Sequence, residues 1–257
     1  MKLRLLVSLL VMFFVSTAMA DTVVLKSDEW CPYNCKPGSD KEGFVIDIVR
    51  EIFKEAGLEL KYEVMTWDKA VEEAEAGGNN GVIGGDESDA PGFIFPKEPI
   101  AINSVCFYSK KSADPSKAWK FKGIDSLKEV GKVGVIDGYS YYDEVDEFIE
   151  SAPKNLVKIK GKEAGKDLAS RLVRGMLDVV IENEFVAPHI FGKEMENVEI
   201  SGCGGVMDLY VALSPHESKK AKSEELAKLI TDGVQKMRKD GRLKKILDKY
   251  GIKDWKK

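Results

Sequence analysis

Histidine is scarce in this chain of 257 amino acids, which has only His189 and His216. Neither histidine lies at a metal-ligand spacing from a cysteine, so the sequence lacks the usual zinc-binding patterns. No histidine is paired in the sequence with a serine or cysteine nucleophile. We therefore predict no metal site, no cofactor and no catalytic residues.

The chain also lacks an excess of basic residues, since 39 Lys and Arg stand against 43 Asp and Glu, for a net charge of −4. No basic stripe suggests nucleic acid as a partner. Beyond the first twenty residues, no apolar run approaches the length of a membrane span. The pattern favours an ordinary globular protein with one large core or two modest ones.

The first twenty residues, MKLRLLVSLLVMFFVSTAMA, have the three parts of a secretory signal peptide. Lys2 and Arg4 form the basic start, residues 5–15 the apolar centre, and Ala18-Met19-Ala20 the cleavage site. An uncleaved anchor is the alternative, but polar Asp21 follows at once. We expect residues 1–20 to be removed and the protein to be exported to the periplasm.

Export changes the interpretation of the stretch SDEWCPYNCKPG, in which Cys31 and Cys35 lie four residues apart. The pair could be a metal clip, a redox pair or a tied loop. A C-x-x-x-C spacing differs from the C-x-x-C of thioredoxin-like redox sites, and an oxidising compartment favours disulfides. We predict a disulfide that ties the loop and presents Trp30 and Tyr33.

Hydrophobic periodicity predicts two α/β units in succession. Residues 23–84 read as strand, helix, strand, helix and strand, and residues 132–181 repeat that order. A strand at 209–213 and helices at 223–239 and 242–249 follow. Two such units suggest a cleft between them, with functional residues just after the carboxyl ends of the strands.

Several blocks of the sequence resemble one protein family. They are GFVIDIVREIFKEAGLELKYEVMTWDKAVEEAEAGGNNGVIGG, SLKEVGKVGVIDGYSYYDEV, LVRGMLDVVIENEFVA and GVQKMRKDGRLKKILDKYGI, in this order. Together they resemble the family 3 extracellular solute-binding proteins, which are periplasmic receptors of polar amino-acid ABC importers.

The resemblance implies an α/β, two-lobed periplasmic-binding-protein fold of type II, with the lobes joined by two crossing strands. Lobe 1 would comprise residues 21–105 and 210–257, and lobe 2 residues 106–209. It also implies a monomer that closes on a small-molecule ligand and docks transiently on a membrane ABC permease. Cys106 and Cys203 lie near the crossing strands, so they are either a second disulfide or two buried thiols.

Two charges typical of the family's amino-acid binders are missing. The stretch GGDESDAPGFIFPKEPI, after Ile83, holds no Arg to grip a carboxylate, and Asp89 lies near the matching position. Asn183 occupies the place of the Asp that would pair with an ammonium. The sequence therefore disfavours simple neutral or acidic amino acids and favours a cationic or an uncharged polar solute.

The expected ligand-binding residues follow the strands of both units. They are Trp30, Tyr33, Trp67, Gly85, Asp86, Glu87, Tyr139, Ser140, Tyr141, Glu182 and Asn183. Some of them have a second interpretation: Trp30, Tyr33 and Trp67 as core residues, the acidic loop as a solvated turn, and Ser140 as a helix N-cap.

Three functions fit this sequence. The first is a periplasmic receptor that captures a small polar solute, amino-acid-like or cationic, and delivers it to an ABC permease. The second is the ligand-binding subunit of a periplasmic sensor. The third is a dehydratase-like enzyme on the same fold, for which Asp86, Glu182 or Glu184 could serve as acid or base. We expect the first function, without catalysis.

Overall fold

The computed structural model describes residues 21–256, so the expected signal peptide lies outside the described residues. The order of elements in this part is β1 (Asp21–Ser27), α1 (Phe44–Glu55), β2 (Leu58–Val64), α2 (Trp67–Glu75), β3 (Gly81–Gly85), β4 (Ala101–Lys110), β5 (Val133–Ile136), α3 (Asp143–Glu150), β6 (Leu156–Ile159), α4 (Ala164–Val173), β7 (Val179–Asn183), α5 (Ala187–Phe191), β8 (Val198–Leu213), α6 (Lys220–Asp240) and α7 (Arg242–Tyr250). The strands form one sheet in the order β2-β1-β3-β8-β4-β7-β5-β6.

The first half of the sheet is built from parallel strands and covered by amphipathic helices. β1 is parallel to both β2 and β3, while β8 closes this half as an antiparallel neighbour of β3. Helix α1 buries positions 45, 48, 49, 52 and 53, a spacing that places them on one face. That face packs in one core cluster with residues of β1, β8, α6 and α7.

The second half repeats this construction. β5 is parallel to β6 and to β7, and β4 is antiparallel to β7. Helices α3 and α4 bury apolar residues in two separate core clusters, one containing Phe148 and the other Leu168. The helices and strands expected from periodicity in both units are confirmed.

Strands β4 and β8 connect the two halves. Near its end β8 pairs with β3, with Leu213 opposite Gly81, and at its start it pairs with β4, with Val198 opposite Lys110. The two strands therefore run side by side from one half to the other. The residues at which one lobe gives way to the next stay a prediction.

The prediction for β8 was too short, because the sequence indicated only residues 209–213 of this strand. β8 begins at Val198. The missed part contains Gly204 and Gly205, which weaken a strand pattern but make room for a ring. A Cβ atom on Gly204 would lie 2.2 Å from the hydroxyl oxygen of Tyr142, so only glycine allows this tyrosine to pack on the strand.

No helix between residues 21 and 256 combines the length and the apolar character that crossing a membrane requires.

Candidate functional site

A small cavity lies where the carboxyl ends of β1, β3, β5 and β7 come together between the two halves of the sheet. Its volume is about 40 Å³. Loops that follow parallel strands meet at this edge, which is the usual place for a binding site in α/β proteins. The lining residues are Ser27, Asp28, Trp30, Trp67, Ile83, Gly84, Asp89, Asn103, Tyr139, Ser140, Tyr141, Glu182, Asn183 and Leu209.

The charge of this lining is entirely negative. Asp28, Asp89 and Glu182 contribute carboxyl groups, and within the described part of the chain no Lys, Arg or His joins them in the wall. Three acids in a partly desolvated space disfavour one another's ionisation, and all three favour a cation between them. The cavity therefore has the electrostatics of a cation site.

Asp28 connects the two halves of the protein. The hydroxyl of Tyr139, in the loop after β5, donates a hydrogen bond to Asp28 Oδ2, in the loop after β1. The Ser27 hydroxyl donates to the other carboxylate oxygen at 3.3 Å. Burial raises the pKa of Asp28 above its usual range, and the Tyr139 hydroxyl partly offsets that rise.

Glu182 is the most deeply buried acid of the cavity, with 2% of its surface exposed. Its Oε1 accepts from the backbone N–H of Asn183 at 2.7 Å and from the indole Nε1 of Trp30 at 3.4 Å. Oε2 accepts no hydrogen bond from the described residues. Burial raises the pKa of Glu182 to about 7, so this carboxyl group gives up its proton less readily than an exposed glutamate does.

Asp89 contributes the third carboxyl group, from the turn after β3. Its Oδ2 accepts from the backbone N–H of Asp86 at 3.3 Å. Burial, followed by the negative charge of Asp86, raises the pKa of Asp89 to about 6.

The other two residues of the acidic loop lie outside the cavity. Asp86 and Glu87 face an open groove that Asp143, Glu144 and other residues also line. Asp86 Oδ1 accepts a hydrogen bond from the backbone N–H of Ser88 at 2.8 Å, so this carboxylate stabilises its own turn. The sequence predicts Asp86 and Glu87 as ligand contacts, whereas the structure places Asp89 at the cavity.

The cysteine-tied loop presents one aromatic residue to the cavity and places the other behind it. Cys31 and Cys35 lie at bonding distance, with an S–S separation of 2.19 Å. Trp30 lines the cavity, while Tyr33 is fully buried and stacks on Trp30 with ring centroids 4.3 Å apart. Tyr33 therefore supports Trp30 and does not line the cavity, because its hydroxyl is held by the backbone carbonyl of Ile102 at 2.6 Å.

Trp67 reaches the cavity from the first turn of α2, as expected. Gly85, another expected contact, lies behind it. A Cβ atom on Gly85 would come within 2.8 Å of the Trp67 ring, so the glycine permits the packing of the indole on β3. Gly85 thus contributes to the site through the position of Trp67.

The loop after β5 brings Tyr139, Ser140 and Tyr141 to the cavity, as the sequence predicted. Tyr141 is held firmly, since its hydroxyl accepts from the backbone N–H of Ile136 at 3.1 Å. The alternative role of Ser140 as a helix N-cap is wrong, because α3 begins at Asp143 and its N-cap position is Tyr142.

Asn183 lines the cavity, but both polar atoms of its side-chain amide are hydrogen-bonded to other groups of the protein. Nδ2 donates to the Tyr33 hydroxyl at 2.9 Å and to Asn103 Oδ1 at 2.8 Å. Oδ1 accepts from the backbone N–H of Phe185 at 2.7 Å and of Val186 at 3.3 Å. An aspartate could not make the two donations. Asn183 thus joins the tied loop, β4 and β7.

Sequence reasoning did not single out several lining residues. Asp28 directly follows β1, and this position at the end of a strand was the sequence signal that could have indicated it as a lining residue. Asn103 and Leu209 lie on the crossing strands, and no local pattern indicates which of their side chains face the cleft. The remaining ones are Ser27, Ile83 and Gly84.

The second cysteine pair links the crossing strands. Cys106 on β4 and Cys203 on β8 are opposite each other, with an S–S separation of 2.03 Å. The free-thiol alternative is thereby disfavoured. Between residues 21 and 256, no group of three or more His, Cys, Asp or Glu side chains is placed to hold a metal ion.

Solved structures share the fold of this chain. A histidine kinase sensor domain with similarity to periplasmic binding proteins has a TM-score of 0.73 at 16% identity, with 92% of this chain and 99% of that one covered. An ancestral arginine-binding protein bound to arginine has a TM-score of 0.70 at 23% identity, with coverages of 91% and 99%. The amino acid ABC transporter substrate-binding protein AbpA from Streptococcus pneumoniae, bound to L-arginine, has 0.66 at 20%, with coverages of 91% and 97%.

These likenesses confirm the α/β, two-lobed periplasmic-binding-protein fold. A search of curated protein sequences found no match. The model of one family, described as bacterial extracellular solute-binding proteins, family 3, matches residues 23–253, which is nearly all of the described chain. The chain belongs to family 3 of the bacterial extracellular solute-binding proteins.

Proposed function

We propose that this protein is a periplasmic receptor that captures a small cationic solute between its lobes and delivers it to a membrane ABC permease, without catalysis. One observation carries the choice of ligand. The cavity holds the carboxyl groups of Asp28, Asp89 and Glu182, and no cationic side chain of the described residues shares its wall.

The same observation argues against an ordinary α-amino acid. Its carboxylate would enter a space where three acids already disfavour negative charge, and a buried unpaired charge costs several kcal/mol. An ammonium or guanidinium group instead compensates the negative charges of Glu182 and Asp89. The faces of Trp30 and Trp67 add a favourable surface for a cation.

The family and the structural likenesses support a role in import. Two of the solved structures described above hold arginine, and one of them is an ABC substrate-binding protein. Another similar solved structure has a TM-score of 0.68. Its title concerns glutathione import via GshT and the cystine ABC importer TcyBC of Streptococcus mutans. Export by residues 1–20, a monomeric state and transient permease docking complete the proposal.

Isothermal titration calorimetry tests the ligand class. We expect methylguanidine to bind, and glutamate and glutamine to bind weakly or not at all. Glu182→Gln and Asp89→Asn each remove one negative charge from the cavity, so each should weaken methylguanidine binding by about tenfold or more. Asp125→Asn, on an exposed turn, is the matched control and should bind as the natural protein does. Submicromolar glutamate affinity would reject the cationic-ligand proposal.

A sensory role is the second candidate, because one of the similar structures is a histidine kinase sensor domain. The two roles differ in the partner of the closed protein. Genes adjacent to this one separate them, since permease and ATPase genes favour transport and a histidine kinase gene favours sensing. Ligand-dependent stimulation of that permease's ATPase activity by the purified protein would then establish transport.

A further inference from the structure

An open groove of about 520 Å³ lies outside the small cavity, at the turn that follows β3. This turn forms one side of the groove through Asp86 and Glu87, and Tyr142 with the start of α3 forms another. Residues 205–208 of β8 also line it. The outer groove, as we call it, therefore brings together both halves of the sheet and one of the strands that connect them.

The charged residues of the outer groove are all acidic. None of them forms an ion pair with a described residue, whereas acids elsewhere in the chain are paired, as Glu98 is with Arg238. Uncompensated charge of one sign on both sides of a groove attracts a cationic partner and repels an anionic one. The six acids are Asp86, Glu87, Asp143, Glu144, Asp146 and Asp208.

The acids on the two sides of the outer groove repel one another. Burial raises the pKa of Asp146, on α3, to about 6, and the negative charges of Asp143 and of Asp86, across the groove, add to the rise. This repulsion opposes the arrangement in which the two halves lie close together. A cationic segment between the two sides would compensate these charges, so it would favour that arrangement.

Strand β8 has an unpaired backbone edge beside these acids. β3 is its neighbour only from Tyr210 onward. Toward the start of β8, the carbonyl oxygen of Ser201 accepts from the backbone N–H of Phe121 at 2.9 Å. Between these points, residues 202–208 pair with β4 on one side and with no described residue on the other. Such an edge is a template for a further extended segment.

The side chains of β8 leave this edge accessible. Val206 is 61% exposed, the highest value for any large apolar side chain between residues 21 and 256. β8 contains no Lys and no Pro, two residues that often keep a second strand away from an edge. Its register on β4 shifts between Cys203 and Val206, so the regular part of the edge is short and suits a segment of a few residues.

We propose that the outer groove binds a short, extended, basic segment of another protein, which adds as a strand to residues 202–208 of β8 and places its Lys or Arg side chains between the acids of the two sides. A second copy of this chain does not fit, because its own β8 edge would bring acids against acids. Nucleic acid and anionic lipid are repelled by the same charges. The proposal does not depend on which solute the small cavity holds.

Fluorescence anisotropy with three labelled peptides at low ionic strength tests the charge and the backbone separately. The probes are acetyl-Lys-Val-Lys-Val-Lys-amide, the same sequence with Glu in place of each Lys, and the Lys peptide with every backbone nitrogen methylated. The Lys peptide should bind and the Glu peptide should not. The methylated peptide keeps its charge but cannot donate backbone hydrogen bonds, so it should bind about tenfold more weakly or worse.

The double variant Glu144→Gln with Asp208→Asn removes two charges of the outer groove. It should weaken binding of the Lys peptide about threefold or more, the value of two exposed ion pairs. Methylguanidine binding should not change, because neither residue lines the small cavity. Glu147→Gln is the matched control, since this exposed glutamate of α3 lies outside the groove, and it should bind the Lys peptide as the natural protein does.

Hydrogen exchange followed by mass spectrometry locates the bound peptide. The backbone amides of residues 202–208 should exchange more slowly when the Lys peptide is bound. Absence of this protection, equal binding of the Lys and methylated peptides, equal binding of the Lys and Glu peptides, or binding of none of the three overturns the proposal.

A second copy of the chain as the occupant has its own signature. Analytical ultracentrifugation would then show a concentration-dependent dimer, with residues 202–208 protected in the absence of peptide, and that result also overturns the proposal. None of these outcomes bears on the cation site of the small cavity, which methylguanidine tests separately.

Discussion

The hydroxyl of Tyr139 donates a hydrogen bond to the Asp28 carboxylate across the cleft, and so joins the loop after β5 to the loop after β1. The two residues belong to opposite halves of the sheet. Such a hydrogen bond contributes about 0.5–3 kcal/mol, and the upper part of this range applies when the carboxyl group is ionised. This contact therefore favours the arrangement in which the two halves are close together.

Tyr139→Phe removes this hydrogen bond and keeps the ring. We expect the equilibrium between closed and open lobes to shift toward the open form by about tenfold or more. Small-angle X-ray scattering measures the shift as a larger radius of gyration. Tyr142→Phe is the control, since that ring packs on Gly204 and lies outside the small cavity. An unchanged scattering curve for Tyr139→Phe would show that the contact does not hold the lobes.

The raised pKa values of two cavity acids predict how stability depends on pH. Folding raises the pKa of Glu182 to about 7 and that of Asp89 to about 6. Between about pH 4 and pH 7 the folded protein therefore holds more protons than the unfolded chain. The free energy of unfolding should fall as the pH rises through this window and then level off, as far as these two groups determine it.

Cation binding should have the opposite dependence on pH. A bound guanidinium favours the ionised acids, so binding releases protons below about pH 7, and methylguanidine affinity should rise from pH 5 to pH 8. Calorimetry in two buffers of different ionisation enthalpy counts the protons released. Glu182→Gln should flatten the upper part of the profile. Affinity that is independent of pH in the natural protein would contradict the role of these acids.

Asn183 illustrates what the sequence could and could not predict. Its place after β7 was predictable, since a buried apolar run precedes it and parallel strands end together. Its hydrogen bonds to Tyr33 and Asn103 join residues 150 and 80 positions away, and no local pattern encodes such a meeting. The sequence therefore identified the edge of the sheet and all four aromatic residues of the cavity lining, but it could not separate side chains that face the cavity from those that hold it together.

Trp30 lines the cavity and Tyr33 is buried behind it, and the sequence could not predict this difference for the same reason. Both aromatics stand in one short loop, and either could face the ligand as far as the sequence shows. Only the position of β4 decides, because the Ile102 carbonyl accepts the Tyr33 hydroxyl and draws that ring inward. Long-range packing thus resolves an ambiguity that spacing leaves open.

Asn183→Asp tests whether this residue is a structural connector. The aspartate cannot donate to Tyr33 or to Asn103, and it adds a charge beside Glu182 in a buried place. We expect a loss of about 2–4 kcal/mol in the free energy of unfolding, measured by urea denaturation at pH 7.

The exposed Asn197→Asp is the control and should lose less than about 1 kcal/mol. The Asn183 variant should also fail to gain glutamine binding. A fully stable Asn183→Asp protein that binds glutamine would mean that this position is a ligand contact and not a connector.

The two disulfides should differ in what they contribute. Cys106 and Cys203 are separated by 97 positions, so their bond closes a long loop, while Cys31 and Cys35 are separated by only 4. In the chain-entropy model, closing a loop of about 100 residues stabilises a protein by about 4.7 kcal/mol, and closing a very short loop by about half of that or less. The short bond instead restricts the loop that carries Trp30.

Paired substitutions to serine separate the two contributions. Cys106→Ser with Cys203→Ser should lower the melting temperature more than Cys31→Ser with Cys35→Ser does, because the longer loop gains more freedom in the unfolded chain. The short-loop variant should lose more affinity for methylguanidine, because Trp30 must then be ordered at binding and each immobilised side chain costs about 0.5–1.5 kcal/mol.

Thermal denaturation and calorimetry measure both effects, and mass spectrometry without reductant verifies each bond in the natural protein. If the short-loop variant binds methylguanidine as the natural protein does, the bond has no part in positioning Trp30, and the tied-loop interpretation is wrong.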